Sequence, residues 1–201
     1  MNAVIDVGPL LDHGRWSPYQ RMLTVLAAVA LVFDGFDIQI LGFAIPSLMK
    51  ELSAPRAAFG PILALGLAGM CVASPLAGYF GDRYGRRPSL LGAIAVFALG
   101  TLATAFVHSI SALAVLRFVT GLGTGATLPN VSAYVAEFAP LRKRPMAVKL
   151  TLMCIPLGGM VCGWIASQVL PVLGWRALYQ IGGGIPLALT VLLWVVLPES
   201  P

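Results

Sequence analysis

The sequence is poor in charged residues. Of its 201 residues only 10% are Asp, Glu, Lys or Arg, whereas 58% are apolar and the mean hydropathy is +0.88. Soluble globular domains carry about 25% charged residues, so this chain lacks the polar surface that would cover a water-soluble core. The apolar excess also excludes an intrinsically disordered chain, which needs low hydrophobicity.

Cysteine and histidine are scarce as well. The three cysteines, Cys71, Cys154 and Cys162, lie inside apolar runs, and the two histidines, His13 and His108, occur singly. This pattern fits neither a disulfide framework nor a metal cluster. We therefore expect small apolar roles for the cysteines, no metal site and no cofactor.

Long runs without charge organise the chain instead. Residues 57–81, 88–116, 118–136, 150–175 and 177–198 contain no Lys, Arg, Asp or Glu. A further run, from Met22 to Pro46, is apolar apart from Asp34 and Asp37. Each run is about as long as the roughly 20 residues that a helix needs to cross a hydrocarbon core. Because unpaired backbone groups are not tolerated in lipid, we expect every run to be helical.

The sequence therefore predicts an all-α, polytopic membrane protein with six transmembrane helices in a bundle over residues 22–198. The approximate spans are 22–45, 57–80, 89–107, 112–136, 148–170 and 177–197. Residues 1–21 are predicted to be a cytoplasmic N-terminal tail, and residues 199–201 the start of the next cytoplasmic loop. The connections, such as 108–111 and 170–176, are short, so consecutive helices are expected to be antiparallel neighbours.

The basic residues indicate an orientation. Nine of them fall on one side of the predicted bundle: Arg15, Arg21, Arg83, Arg86, Arg87, Arg142, Lys143, Arg144 and Lys149. Only three, Lys50, Arg56 and Arg176, fall on the other. Because Lys and Arg concentrate in cytoplasmic loops, both termini are predicted to be cytoplasmic. The predicted location of this multi-pass protein is a bacterial inner membrane. Charges spread over such loops argue against nucleic-acid binding, which needs one basic face.

Three ionisable residues lie inside the predicted spans, where an ionised side chain costs about 2.5 to 3.5 kcal/mol. Asp34 and Asp37 are three residues apart and share a face of the first helix. Asp37 and Arg117, in the fourth helix, both lie about 22 Å from the inner boundary at about 1.5 Å per residue. We predict that they form a buried pair or face each other across a polar cavity.

The charges of these three residues do not balance. Two carboxylates and one guanidinium leave one negative charge uncompensated, so one acid is a candidate for binding and releasing protons. The alternative is structural, with Asp34 and Asp37 accepting hydrogen bonds while Arg117 locks the bundle.

Several other features are interpreted as packing. Gly121, Gly123 and Gly125 follow an apolar helical run and not a strand, which favours close helix packing over a nucleotide-binding loop. Tyr179 is interpreted as a packing or interfacial aromatic. Trp164 is interpreted mainly as a packing residue, with stacking on an aromatic substrate as the alternative.

Four motifs resemble those of the major facilitator superfamily. G-x-x-x-D-R-x-G-R-R at residues 78–87 resembles its signature loop, and R-x-x-x-G-x-G-x-G at 117–125 resembles its fourth-helix pattern. Y-V-A-E-F-A-P at 134–140, followed by Arg144, resembles the next cytoplasmic motif, and L-P-E-S-P at 197–201 the usual end of the sixth helix.

This resemblance implies the N-terminal half of that fold, built from two inverted three-helix repeats. Such carriers have about twelve helices in two halves with the substrate between them, so a second six-helix half is the implied partner. The resemblance also implies a cytoplasmic gate formed by Gly78, Asp82, Arg83, Gly85, Arg86, Arg87, Glu137 and Arg144.

The first predicted helix resembles that of one subfamily in particular. Asp34-Gly-Phe-Asp37, followed by Gly42 and Pro46, is similar to the first helix of the aromatic acid:proton symporters. This implies a transporter that takes up an aromatic carboxylate such as 4-hydroxybenzoate, or a related organic anion, with protons by alternating access. It implies proton-coupling or substrate roles for Asp34, Asp37 and Arg117.

Other functions stay open at this point. The chain could belong to a major facilitator carrier for a sugar or another organic acid, or be a truncated, non-transporting fragment that needs a second half. An enzyme is not expected, because the sequence has neither a G-x-S-x-G nucleophile motif nor an H-E-x-x-H zinc motif.

Overall fold

The computed structural model describes residues 18–196, and all regular structure in that range is helical. The helices are α1 (Pro18–Glu51), α2 (Phe59–Tyr84), α3 (Arg86–Thr104), α4 (Ile110–Phe138), α5 (Arg144–Leu152) and α6 (Cys154–Val196). A single 3-10 turn, Arg56–Ala58, leads into α2. The all-helical fold class is therefore confirmed over the described residues.

The first helix is longer than the predicted span. Its described part begins at Pro18, inside the predicted tail. It ends at Glu51, beyond the apolar run. Residues 1–17 and 197–201 lie outside the described residues, and the L-P-E-S-P match lies there with them.

The last two helices are too long for one crossing. Within the described residues, five helical stretches are long and apolar enough to cross a membrane, and the last, 144–195, has 52 residues. At about 1.5 Å per residue, its length is more than twice a hydrocarbon core of about 30 Å. The helical geometry of α6 is interrupted at Gly174, which has φ 76° and ψ −178°.

Contacts with α1 show that the chain reverses at Gly174. Residues 154–173 follow α1 in one direction, and residues 175–196 follow it back. In chain order the pairs are Gly158 with Val32, Gly163 with Phe43, Trp175 with Glu51, and Gly182 with Phe36. Within residues 18–196 the chain therefore passes along the bundle six times. The last reversal uses one non-helical residue, where the sequence predicted a loop over 170–176.

Glycines bring α4 close to its neighbours. A Cβ on Gly121 would overlap the backbone of Gly66 in α2, and one on Gly123 would overlap Phe97 in α3. The prediction that this glycine run packs helices is confirmed. The close approach fixes α4 in the bundle, and with it Arg117, which lies one turn before Gly121.

Two apolar clusters fill the bundle. One lies toward the end that carries residues 82–87, which we call the signature end, and includes Leu23, Phe97 and Tyr134. The other lies toward the opposite end and includes Leu48, Phe59 and Trp175. Between them along the helices lies a belt of buried polar residues: Asp34, Asp37, Thr101, Thr104, Arg117 and Thr120.

Candidate functional site

Asp37 of α1 and Arg117 of α4 form an ion pair inside the bundle. Arg117 Nη1 lies 3.3 Å from Asp37 Oδ2 and also donates to the main-chain carbonyl of Asp37 at 3.2 Å. Only 4% of the Asp37 side chain and 7% of the Arg117 side chain are exposed. The pairing that their matched depth predicts is confirmed, while the functional role of the pair stays a prediction.

Two further helices hold this pair. Thr101 of α3 donates a hydrogen bond to Asp37 Oδ1. Arg117 Nη2 donates to the phenol oxygen of Tyr179 in α6 at 3.0 Å, and the guanidinium carbon lies 5.5 Å from the Tyr179 ring centroid, within cation–π range. Four helices thus contribute to one buried polar site.

Sequence reasoning does not identify Thr101 or Tyr179 as site residues. The packing interpretation of Tyr179 covers only its ring, because its hydroxyl is bonded to Arg117. A buried tyrosine hydroxyl needs a partner, so a tyrosine inside a charge-free run was the available signal. Thr101 gives no such signal, since a threonine hydroxyl in a helix commonly bonds to its own backbone, as Thr104 does.

Asp34 is buried apart from this pair. It is 2% exposed, and its Oδ1 has no hydrogen-bond partner among the described residues. Three residues along a helix correspond to a rise of about 4.5 Å, so a shared face does not bring both carboxylates to one guanidinium. The three ionisable residues are therefore an ion pair and one separate carboxyl group.

A cavity of about 290 Å³ borders the ion pair between α1, α2 and α4. Its wall combines charged, polar and apolar side chains, among them Asp37, Arg117, Thr120, Ile38, Leu67 and Met70. A larger cavity of about 530 Å³ between α2, α3 and α4 is almost entirely apolar and does not reach the ion pair. Of these two cavities, only the smaller one adjoins the ion pair.

A second cluster of charges lies at the signature end. Arg86 Nη2 is 2.6 Å from Asp82 Oδ1, and Arg86 Nε is 3.2 Å from Glu137 Oε1. These bonds connect α2, α3 and α4 around Gly85, whose φ of 97° is a conformation that favours glycine. The structure thus brings together three of the predicted gate residues beside the predicted turn.

The other predicted gate residues lie around this cluster without joining it. Arg83 donates to the Tyr79 hydroxyl at 2.7 Å, and Arg87 donates to the main-chain carbonyl of Trp194. Arg144 is the first residue of α5. Arg83 and Arg87 are thus placed by different neighbours.

The glycines of the signature motif differ in their surroundings. Gly78 has open space where a Cβ would stand. A Cβ on Gly81, which the motif does not specify, would lie 2.8 Å from Arg86 Nη1 and 2.9 Å from Asn130 Oδ1. Gly81, and not Gly78, is therefore the glycine that makes room for Arg86.

Trp164 lies on the outside of the bundle. The residue is 69% exposed, so it does not pack within the described part of the bundle. The exposed faces of long apolar helices are energetically acceptable only against lipid or another protein, which is why burial within the bundle was not needed.

The sequence profile of the family described as Major Facilitator Superfamily matches residues 27–201. This chain belongs to the major facilitator superfamily. The resemblance inferred from the four motifs is confirmed.

Curated relatives of this major facilitator chain are named as transporters of aromatic acids. It is 38% identical to the gallate transporter of Pseudomonas putida over 200 residues, which cover 100% of this chain and 44% of the relative. It is 36% identical to the 4-hydroxybenzoate transporter PcaK of the same species, over 98% of this chain and 44% of the relative. The chain thus spans less than half the length of these relatives.

Solved structures share the fold of this major facilitator chain. The inward-open xylose transporter XylE from E. coli matches with a TM-score of 0.78 and 24% identity, over 90% of this chain and 49% of that chain. A bacterial homologue of the lysosomal transporter Spinster matches with a TM-score of 0.82 and 17% identity, over 94% and 46%. At these identities the likeness shows the fold alone. The chain is an integral, multi-pass membrane protein of a transporter family and not an enzyme.

Proposed function

We propose that this chain forms half of a carrier that takes up an aromatic carboxylate together with protons by alternating access. The observation that carries the proposal is the buried Asp37–Arg117 pair beside a cavity. Ionisable groups inside a membrane bundle mark substrate or ion pathways more often than they serve packing. Membership of a family of carriers supports the same conclusion.

Arg117 is the proposed anchor for the carboxylate of the substrate. Its Nε is buried and has no hydrogen-bond partner in the described part of the chain, so the guanidinium retains donor capacity. A planar guanidinium matches a carboxylate in geometry and charge. Ile38, Leu67 and Met70 would offer an apolar wall to an aromatic ring. The names of the gallate and 4-hydroxybenzoate relatives support this substrate class.

Asp34 is the proposed proton-binding residue. It is buried, and its Oδ1 lacks a hydrogen-bond partner among the residues described. Asp37, by contrast, is bonded to Arg117 and Thr101. Because an ionised carboxylate without a partner is costly inside a membrane, binding a proton at Asp34 removes that cost. Release of the proton on one side would then couple transport to the proton gradient.

The ion pairs at the signature end are the proposed cytoplasmic gate. Arg86 is bonded to Asp82 and Glu137, and these pairs are partly exposed, so they can open and close at low cost. We infer from the distribution of Lys and Arg that this end faces the cytoplasm in a bacterial inner membrane. A second six-helix half would complete the cavity wall and close against this gate.

Transport by reconstituted protein tests the proposal. This chain is co-expressed with the C-terminal part of the P. putida gallate transporter that it does not match, and uptake of radiolabelled gallate and 4-hydroxybenzoate into proteoliposomes is measured under an acid-outside pH gradient. We expect accumulation that collapses when the gradient is removed. Asp34→Asn should abolish accumulation of the acid against its own concentration gradient, while still allowing exchange of labelled for unlabelled acid across the membrane.

The positive control is the relative split at the same point. Its own two halves, co-expressed, show whether such halves assemble and transport. If they take up both acids while this chain paired with the same second half takes up neither, the aromatic carboxylate proposal is wrong. Accumulation that survives Asp34→Asn would instead remove only the proton-binding assignment.

A further inference from the structure

A continuous series of contacts connects the exposed end of α1 with the buried ion pair. Glu51 Oε2 accepts a hydrogen bond from Trp175 Nε1 at 2.6 Å. The ring of Trp175 meets the ring of Tyr179 edge-on, with centroids 5.8 Å apart and an interplanar angle of 86°. The Tyr179 hydroxyl accepts from Arg117 Nη2 at 3.0 Å. A change at the surface therefore has a physical route to Arg117.

Both rings of this route are buried. Trp175 is 3% exposed and Tyr179 is fully buried. They are four residues apart, so they lie on one face of α6 after the reversal, in residues 175–196. An edge-on aromatic pair favours one mutual orientation, so tilting one ring disturbs the other.

Trp175 is the first residue after the reversal. It directly follows Gly174, where the helix is interrupted, so no continuous helix holds it from the N-terminal side. Its indole is bonded instead to Glu51 at the end of α1. Glu51 is therefore placed where it can influence the direction in which residues 175–196 begin.

Glu51 makes two bonds that mutagenesis can separate. Its Oε2 accepts from the buried indole, while its Oε1 pairs with Arg176, whose side chain is 33% exposed. The guanidinium carbon of Arg176 also lies 4.5 Å from the Trp175 ring centroid. Exposed ion pairs contribute little to stability, whereas a hydrogen bond from a buried donor to a charged acceptor contributes more.

We propose that Glu51 is a positioning residue for the buried site: it orients Trp175, which orients Tyr179, which holds the Arg117 guanidinium against Asp37. The inference deepens the proposed function, on which it rests in taking Arg117 as the group that binds the substrate carboxylate. Glu51 and Trp175 themselves touch neither the ion pair nor its cavity.

Uptake kinetics test the proposal with matched variants. Trp175→Phe keeps an aromatic ring edge and removes the indole N–H, and we expect it to raise KM for the aromatic acid about tenfold with a smaller change in kcat. Glu51→Ala should do the same. Glu51→Gln keeps an acceptor oxygen and should restore KM to within about twofold of the unaltered protein. Arg176→Gln removes the exposed pair with Glu51 and the guanidinium over the Trp175 ring but leaves the bond from the indole to Glu51 in place. It is the control and should leave KM unchanged.

A double variant distinguishes positioning of Tyr179 by Trp175 from a general loss of packing around the two rings. If the effect of Trp175 passes through the Tyr179 hydroxyl, Trp175→Phe should add nothing to KM once Tyr179→Phe is present. Additive effects of the two changes would overturn the proposal. An effect of Arg176→Gln as large as that of Trp175→Phe would also overturn it. Both changes would then act through the exposed contacts of Arg176, and not through the hydrogen bond from the indole to Glu51.

Thiol labelling gives a readout that does not require transport. Cys162 is fully buried in the same apolar cluster as Trp175 and Tyr179, and it becomes the only thiol when Cys71 and Cys154 are replaced by Ser. In native membranes, Trp175→Phe and Glu51→Ala should each speed maleimide labelling of Cys162 severalfold, while Glu51→Gln and Arg176→Gln should not. Unchanged labelling in all four variants refutes positioning by Glu51 whether or not uptake occurs. The predicted labelling pattern without any uptake supports the positioning role and refutes the proposed function alone.

Discussion

Two guanidinium–carboxylate clusters in this molecule share their chemistry and differ in their surroundings. Arg117 and Asp37 are 7% and 4% exposed and are bonded to Tyr179 and Thr101 from two further helices. Arg86 at the signature end is 23% exposed, and its partner Asp82 is 69% exposed. Both clusters connect several helices, but only the first is shielded from water.

This difference in exposure predicts that the ion pairs of the two clusters differ in how easily they separate. An exposed ion pair contributes about 0 to 1 kcal/mol, because water solvates its partners well once they separate. Breaking a buried pair by removing one partner costs about 3 to 5 kcal/mol, because the remaining charge has no other source of stabilisation. The ion pairs at the signature end are therefore suited to separate and re-form. The central pair is suited to separate only when the charge of a bound substrate, or a proton, takes the place of the lost partner.

The largest expected effect comes from removing one buried charge. Arg117→Met should lower the free energy of unfolding by about 3 to 5 kcal/mol, because Asp37 is left buried without its cation. Arg86→Met, the exposed counterpart, should lower it by about 1 kcal/mol or less. SDS-induced unfolding in mixed micelles measures both changes.

A double replacement sharpens this test. Arg117→Met combined with Asp37→Leu should recover most of the lost stability, since no charge then stays buried, while uptake stays abolished. Equal losses for Arg117→Met and Arg86→Met would show that burial does not distinguish the two clusters.

Removing a phenol hydroxyl, either from the central site or from beside the signature-end cluster, should have a smaller effect. Tyr179→Phe deletes the buried acceptor of Arg117 and should lower the free energy of unfolding by about 1.5 to 3 kcal/mol. Tyr79→Phe deletes the exposed acceptor of Arg83 and should change it by about 0.5 kcal/mol or less. The same unfolding assay compares them. A Tyr79→Phe variant as unstable as Tyr179→Phe would contradict the contrast.

The smallest expected effect is the response to salt. Raising the ionic strength from about 0.1 M to about 1 M shortens the Debye length from about 10 Å to about 3 Å. We expect Asp82→Asn to cost a few tenths of a kcal/mol at the lower salt and nothing measurable at the higher. The cost of Tyr179→Phe should be the same at both. Unfolding curves at the two salt concentrations decide the matter, and a salt-sensitive cost for Tyr179→Phe would mean that water reaches the central site.

The main features of the fold were predictable from the sequence because the bilayer limits the choices. Charge-free runs of span length have to be helical, and charges inside them have to find partners. Asp37 and Arg117 could therefore be paired by counting residues from the membrane boundary. The reversal at Gly174 could not be placed to the residue, because the turn needs only a single positive φ and the flanking sequence remains helical.

The partners of the central pair show where such reasoning ends. A tyrosine in a charge-free run indicates that its hydroxyl needs a partner, but it does not say which partner. A threonine gives no such signal, because its hydroxyl can bond to its own helix. Asp34 looked equivalent to Asp37 by spacing, yet only Asp37 reaches Arg117. Helical spacing gives the face of a residue, whereas its partner depends on the height of the neighbouring helix, which only tertiary packing determines.

The one-residue joint at Gly174 also bears on how the protein is made. In the folded protein this joint leaves no loop between the two crossings. We therefore expect the two crossings to enter the bilayer together as a helical hairpin, so that the biosynthetic unit is the pair and not the single segment.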